Sequence, residues 1–271
     1  MTRIQRYSSY TFTLFTTLHL ATTSLIPLAT QSVPASESYL LLAREIYHTP
    51  LSEPLLVAIP LLAHVASGVA IRLLRRSHNL KRYGGATPGV YALHRARQAT
   101  NLSTSSTSST SSAVRIWPHL SYISLSGYAS AGLLAAHVFL NRGLPLLVEG
   151  DSADVGLAYV GHGFARHAAL AWPGYLALLG AVCGHMVWGW AKWLGLSDRA
   201  AWQVRVATGN KAADKRIRSR RRNMWWAIHG VAAALAGLWA AGGLGVVARS
   251  GKTPGWVGGV YDGLFDKVPL L

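Results

Sequence analysis

Apolar residues in this chain run in long continuous blocks and do not alternate with polar ones. Five blocks reach the roughly 20 residues a helix needs to cross a bilayer. They cover residues 10–30, 53–74, 117–140, 168–194 and 224–248. Unpaired backbone cannot face hydrocarbon, so the pattern predicts an all-α integral membrane protein with five transmembrane helices. The first block follows Arg3 and Arg6, as a signal peptide would. Its apolar stretch exceeds the roughly 7–15 residues of such a peptide, so a retained helix is expected. The expected organisation is a short cytosolic tail over 1–9, a five-helix domain over 10–248 and a C-terminal tail over 249–271. Glycines recur inside the blocks at Gly127 and Gly132, Gly180 and Gly184, and Gly237 and Gly242. Small residues at such places let helices approach closely in a membrane.

Composition agrees with this pattern. Of 271 residues 51% are hydrophobic and 13% charged, against about 25% charged in soluble domains. The single cysteine, Cys183, excludes an intrachain disulfide framework and a zinc–thiolate cluster. The charge is lopsided, with 26 Lys+Arg against 10 Asp+Glu. Five spans place the termini on opposite sides. The side holding the N-terminus, side A, then receives 20 of the 26 basic residues and 2 of the 10 acidic ones. By the positive-inside rule side A is the cytosol or its equivalent, and side B lies opposite. Arg72, Arg75 and Arg76 mark the side-A end of the second span. Trp172, Trp188, Trp190, Trp193, Trp225 and Trp226 fall at span ends, where aromatic rings favour the headgroup layer.

Two long connections lie on side A. The first contains the low-complexity run "TNLSTSSTSSTSS", expected to be disordered over 99–113. The second is a basic loop over 195–223 with Lys215, Arg216, Arg218, Arg220, Arg221 and Arg222. Its position against a span points to a topology determinant touching anionic lipid, and no nucleic-acid partner is expected.

Ionisable residues inside a membrane are rare and usually face the bundle interior. His19, His64 and His185 lie on three different spans, nine or ten residues from their expected side-A ends. At about 1.5 Å per residue they share one level, about 14 Å deep. His137 is expected near side B. Two readings stand for the layer: neutral imidazoles joining helices by hydrogen bonds, or axial ligands of a b-type haem. There are no paired carboxylates within the spans, no phosphate-binding glycine loop after a strand and no Ser/His/Asp arrangement of recognisable spacing. The expectation is a protein that is not an enzyme, with no metal site.

The ordered segments "LLAHVASGVAIRLLRR", "RYGG", "LSGYASAGLLAAHVFLNRGLPLL" and "GYLALLGAVCGHMVWGWAKWLG" resemble the transmembrane domain of the fungal MCP-type mitochondrial adaptor proteins. The resemblance implies a multi-pass outer-membrane protein of mitochondria in lipid homeostasis. Its partners would be membrane lipids and a bridge-like cytosolic lipid-transfer protein of the vacuolar-sorting class, with no cofactor. The domain is also similar to the membrane-anchor cytochrome b subunits of succinate dehydrogenase and fumarate reductase. That similarity implies a four-helix-bundle core and keeps open a haem-b electron-transfer subunit of the inner membrane. A lipid scramblase is a further alternative. The family recruits its partner through a Pro-x-Pro motif, whereas no two of the 11 prolines here are two apart. Two alternatives then stand: such a partner docks on the 75–116 loop instead, or the chain does not recruit it.

Overall fold

The computed structural model describes residues 1–84, 95, 120–204 and 208–269. The described chain is helical throughout: α1 Thr2–Thr30, α2 Val33–Tyr47, α3 Pro54–Tyr83, α4 Tyr122–Glu149, α5 Leu157–Arg166, α6 Ala168–Trp193, α7 Leu196–Arg199, α8 Lys211–Ser250 and α9 Gly255–Phe265. Five of these, α1, α3, α4, α6 and α8, are long and apolar enough to cross a membrane. They coincide with the five blocks read from the sequence. The expected disordered run at 99–113 lies outside the described residues.

Proline shapes three of the spans. Each carries a five-residue π turn, at Ala21–Leu25, Pro54–Ala58 and Phe139–Gly143. Each turn ends two residues before Pro27, Pro60 or Pro145. Proline brings no N–H and its ring crowds the carbonyl one turn back, so a local widening relieves the clash without breaking the helix.

All five spans pack together. α1 lies along α3 and α8, α6 lies between α8 and α4, and α3 meets α4 more lightly. Close approach is clearest where α1 crosses α8. Ser24 is fully buried, and its hydroxyl donates to the Leu238 carbonyl at 2.8 Å and the Trp239 carbonyl at 3.2 Å. Gly242 faces Ser24 so closely that a Cβ would run into its backbone. On the opposite side Leu179 and Cys183 of α6 bury against Trp239.

Several boundaries differ from the sequence reading: α3 runs on to Tyr83 and α4 to Glu149, and two further differences change the picture. The expected tail over 1–9 is helical and forms the first turns of α1. Aromatic groups of α6 meet this start of the helix, with the Arg6 guanidinium 4.8 Å from the Trp193 ring centre and Tyr10, just beyond the expected tail, stacked on Trp190 at 5.0 Å. The basic run expected in a loop is also helical, because α8 starts at Lys211. Asn210 caps it, accepting from the N–H groups of Ala212 at 2.9 Å and Ala213 at 3.2 Å. Lys, Arg and Ala favour helix once such a cap is in place. A 40-residue helix is about 60 Å long, twice the thickness of the hydrocarbon layer.

Side B carries three helices that are too short to span. Tyr159, Leu144, Val155, Tyr261, Leu264 and Phe265 form one buried cluster joining α4, α5 and α9. Leu40 of α2, Leu157 of α5 and Val246 of α8 form another. The polar ties are specific. His162 is wholly buried; its Nδ1 accepts from the Thr253 N–H at 3.1 Å, so its Nε2–H donates to Asp262 at 2.9 Å. That hydrogen bond, with Arg166 beside it, holds the Asp262 carboxyl below its ordinary range. Nearby, Arg44 donates to the carbonyls of Ser152 at 2.6 Å and Val155 at 2.8 Å, and through Nε to His48 Nδ1 at 3.3 Å.

His48 makes this corner sensitive to pH. Burial, then Arg44 and Arg142, press its pKa down to about 4, with Glu53 opposing them. The folded corner therefore resists protonation that the unfolded chain accepts at about 6.5. Stability here is full above about 6.5 and falls as the pH drops toward 4. Amide exchange along residues 144–166 should speed up across that window, and His48→Gln should flatten the dependence.

Candidate functional site

The histidines read as one layer form two pairs at different depths. His64 and His185 approach with ring centres 5.9 Å apart and ring planes at 77°. His19 lies instead beside His137, with ring centres 6.1 Å apart at 71°. The expectation of His19, His64 and His185 on one level is corrected on this point. The apolar pattern places the side-A end of the first span at residue 10, whereas α1 begins at Thr2. His64 meets the carbonyl of Gln5, in the first turn of α1; His19 lies 14 residues further along, or about 21 Å deeper. His137 lies the same distance beyond Ile123, whose carbonyl meets His185. So it pairs with His19 and not with the side-B surface.

The shallow pair has a defined protonation pattern. His64 Nδ1 is 3.1 Å from the Gln5 carbonyl, and His185 Nδ1 is 3.2 Å from the Ile123 carbonyl. A carbonyl can only accept, so each Nδ1 carries a hydrogen and each Nε2 presents a lone pair. Among the described residues neither Nε2 has a hydrogen-bond partner. The Ser126 hydroxyl also lies 3.3 Å from His185 Nδ1. Gly127 passes under the same ring; a Cβ there would lie 2.9 Å from its Cε1. The deep pair is held differently. His137 Nδ1 faces the Asn141 amide at 3.5 Å, and His19 Nδ1 is buried without a partner. His229, on α8, sits apart from both pairs among Trp225, Trp188 and Tyr122. Among the described residues no group of three or more His, Cys, Asp or Glu is placed to hold a metal.

The predicted basic residues lie at the side-A ends of two helices. Arg72, Arg75 and Arg76 are on the last turns of α3. Lys215, Arg216, Arg218, Arg220, Arg221 and Arg222 are on the first turns of α8. Arg221 ties this segment to the preceding loop through the carbonyls of Ala201 at 3.3 Å and Val204 at 3.5 Å. Sequence reasoning did not single out the side-B cluster of Arg44, Glu53, Arg142 and Ser152, although Arg44 and Arg142 are two of the six basic residues assigned to that side.

Residues 132–252 match the family described as MDM10-complementing protein 1, transmembrane domain. That segment, less than half of the chain, is similar to the family's transmembrane domain. It runs from the middle of α4 to just beyond α8, and so includes His137, His185 and the basic start of α8. The match supports the MCP-type resemblance and, with the five apolar helices, supports a multi-pass membrane protein of mitochondrial association. No curated protein and no solved structure matches the chain. The comparisons give the cytochrome b similarity no support.

Proposed function

We propose that this MCP1-type protein is a non-enzymatic adaptor of the mitochondrial outer membrane that serves lipid homeostasis. In this reading side A is the cytosolic face and recruits a bridge-like lipid-transfer protein. The observation that carries it is the start of α8, where a helix about twice as long as the bilayer is thick places its basic residues outside the apolar segment. A rigid basic stalk suits an adaptor in two ways. It attracts anionic lipid at about 1 kcal/mol per cation near the surface. It also presents a positive face to an acidic segment of a partner, which a chain without Pro-x-Pro needs. The matching family's description as MDM10-complementing protein 1 supplies the link to MDM10 that the test below uses.

The test is rescue of cells that lack MDM10. The wild-type chain should restore growth and concentrate the lipid-transfer protein at mitochondria. Replacing Lys215, Arg216, Arg218, Arg220 and Arg222 with glutamine, while keeping Arg221 to anchor the stalk, should leave insertion intact. Recruitment should fall at least about tenfold, because the positive face that complements an acidic partner is lost. Undiminished recruitment and rescue by this variant would remove the support that the stalk gives to the reading.

A further inference from the structure

We propose that His64 and His185 are the two axial ligands of one b-type haem held between α3 and α6. The inference does not depend on the adaptor role. It rests first on orientation. Both rings are fixed through Nδ1 by backbone carbonyls, at 3.1 Å and 3.2 Å. This outer hydrogen bond fixes the tautomer of a metal-binding histidine and raises its basicity. The two free lone pairs belong to helices that pack on different neighbours, α3 on α1 and α6 on α4 and α8. The pair therefore bridges the bundle and does not arise from one tight helix crossing.

Separation is the second argument. Two imidazoles bound end-on to one ion at about 2.0 Å hold their ring centres roughly 6.3 Å apart. The observed value is 5.9 Å. Two nitrogens alone leave most metal ions short of ligands, and no third His, Cys, Asp or Glu joins a metal-holding group among the described residues. The remaining donors must come with the ion, which a tetrapyrrole supplies as a plane of four nitrogens. Small residues of α4 border the His185 ring, Gly127 passing beneath it and the Ser126 hydroxyl lying 3.3 Å from its Nδ1. One turn below Ser126, the Ser130 hydroxyl is buried without a partner.

Charge is the third argument, because haem carries two propionates. Arg75 lies 11 residues beyond His64 and Lys192 seven beyond His185. At 3.6 residues per turn both fall on the same helix faces as the histidines, on the side-A side of them. Lys192 and Arg75 lie within electrostatic reach of each other, offset in part by Asp198. Two facing cations above the pair suit two carboxylates. The deep pair is outside the proposal, because neither His19 nor His137 is oriented by a carbonyl.

The test uses the full chain, expressed with haem synthesis supported and purified in detergent. The expected result is a reduced low-spin b-type spectrum with about one haem per chain by the pyridine haemochrome method. His64→Leu and His185→Leu should each cut haem content by more than about tenfold, because an axial ligand is lost. His137→Leu should keep it. To separate ligand loss from misfolding, His64→Gly should regain the band when imidazole is added, with an unchanged elution volume throughout. A colourless wild-type protein under haem-replete conditions, including one carrying copper instead, would overturn the proposal. So would unchanged spectra in the His64 and His185 variants, or loss confined to His137→Leu. Recruitment of the lipid-transfer protein, measured on the same variants, reads the adaptor role separately.

Discussion

Replacing Gly242 with leucine should lower the thermal midpoint of the detergent-solubilised protein by roughly 6–12 °C. The change strikes a close crossing of α1 and α8. A Cβ at position 242 would overlap the Cα, carbonyl oxygen and hydroxyl of Ser24. Two of those atoms are backbone, so no rotamer change removes the clash and α1 must move away from α8. Overpacking of this kind costs about 1–3 kcal/mol or more. Separation also breaks the hydroxyl bonds from Ser24 to the carbonyls of Leu238 and Trp239, each worth about 0.6 kcal/mol in a membrane. A total near 3 kcal/mol corresponds to the stated shift for a protein of this size. Two companion variants set the scale. Ser24→Ala removes the hydrogen bonds without adding bulk and should cost about 0.6–1.7 kcal/mol. Gly243→Ala meets the end of the Tyr175 side chain, which can swing aside, so its effect should be smaller than that of Gly242→Leu. Equal midpoints for wild type and Gly242→Leu would show that α1 and α8 do not cross at this point.

The spans were legible because continuous apolarity over 20 residues has few physical solutions, and the charge partition reinforced the count. The side-B helices were not. α2, α5 and α9 have 15, 10 and 11 residues, too short to stand out by apolar length. α9 also carries Gly258, Gly259 and Gly263, which argue against a helix unless tertiary contacts hold it. Those contacts come from distant residues such as His162 and Tyr159, which no local pattern reveals. The four spanning histidines were legible as a set but not as pairs. Their pairing depends on where α1 begins, and that is decided by Trp190 and Trp193 of α6 covering the polar first turns. Read alone, Arg3 and Arg6 look like a tail outside the membrane. With Arg6 over the Trp193 ring, both belong to a helix whose first carbonyls reach as deep as His64.

The second large effect is expected at the side-B corner, where Arg142→Ala should cost about 1.5–3 kcal/mol, the range for hydrogen bonds to charged groups. Arg142 stands in the π turn that Pro145 imposes on α4. Its guanidinium is bidentate on Glu53 of the loop before α3, with Nε to Oε1 at 2.8 Å and Nη2 to Oε2 at 2.5 Å. Its third nitrogen donates to the Ser152 hydroxyl, and the carbonyl of the same serine is held by Arg44 of α2. One side chain thus fixes α4 to α3 and, through Ser152, to α2. The two partners are 25% and 27% exposed, so removing Arg142 leaves a carboxylate only partly able to recover water. Arg142→Lys keeps the charge but loses the fork and should fall between wild type and alanine. A double-mutant cycle with Glu53→Gln should return a coupling of about 0.5–3 kcal/mol; a coupling of zero would mean that the pair does not hold the corner. The pH profile gives an independent reading. Arg142 is one of the cations that hold His48 down, while Glu53 pulls it up. With Arg142 gone His48 should titrate higher, and the acid window over which the corner loosens should contract toward about 6.5.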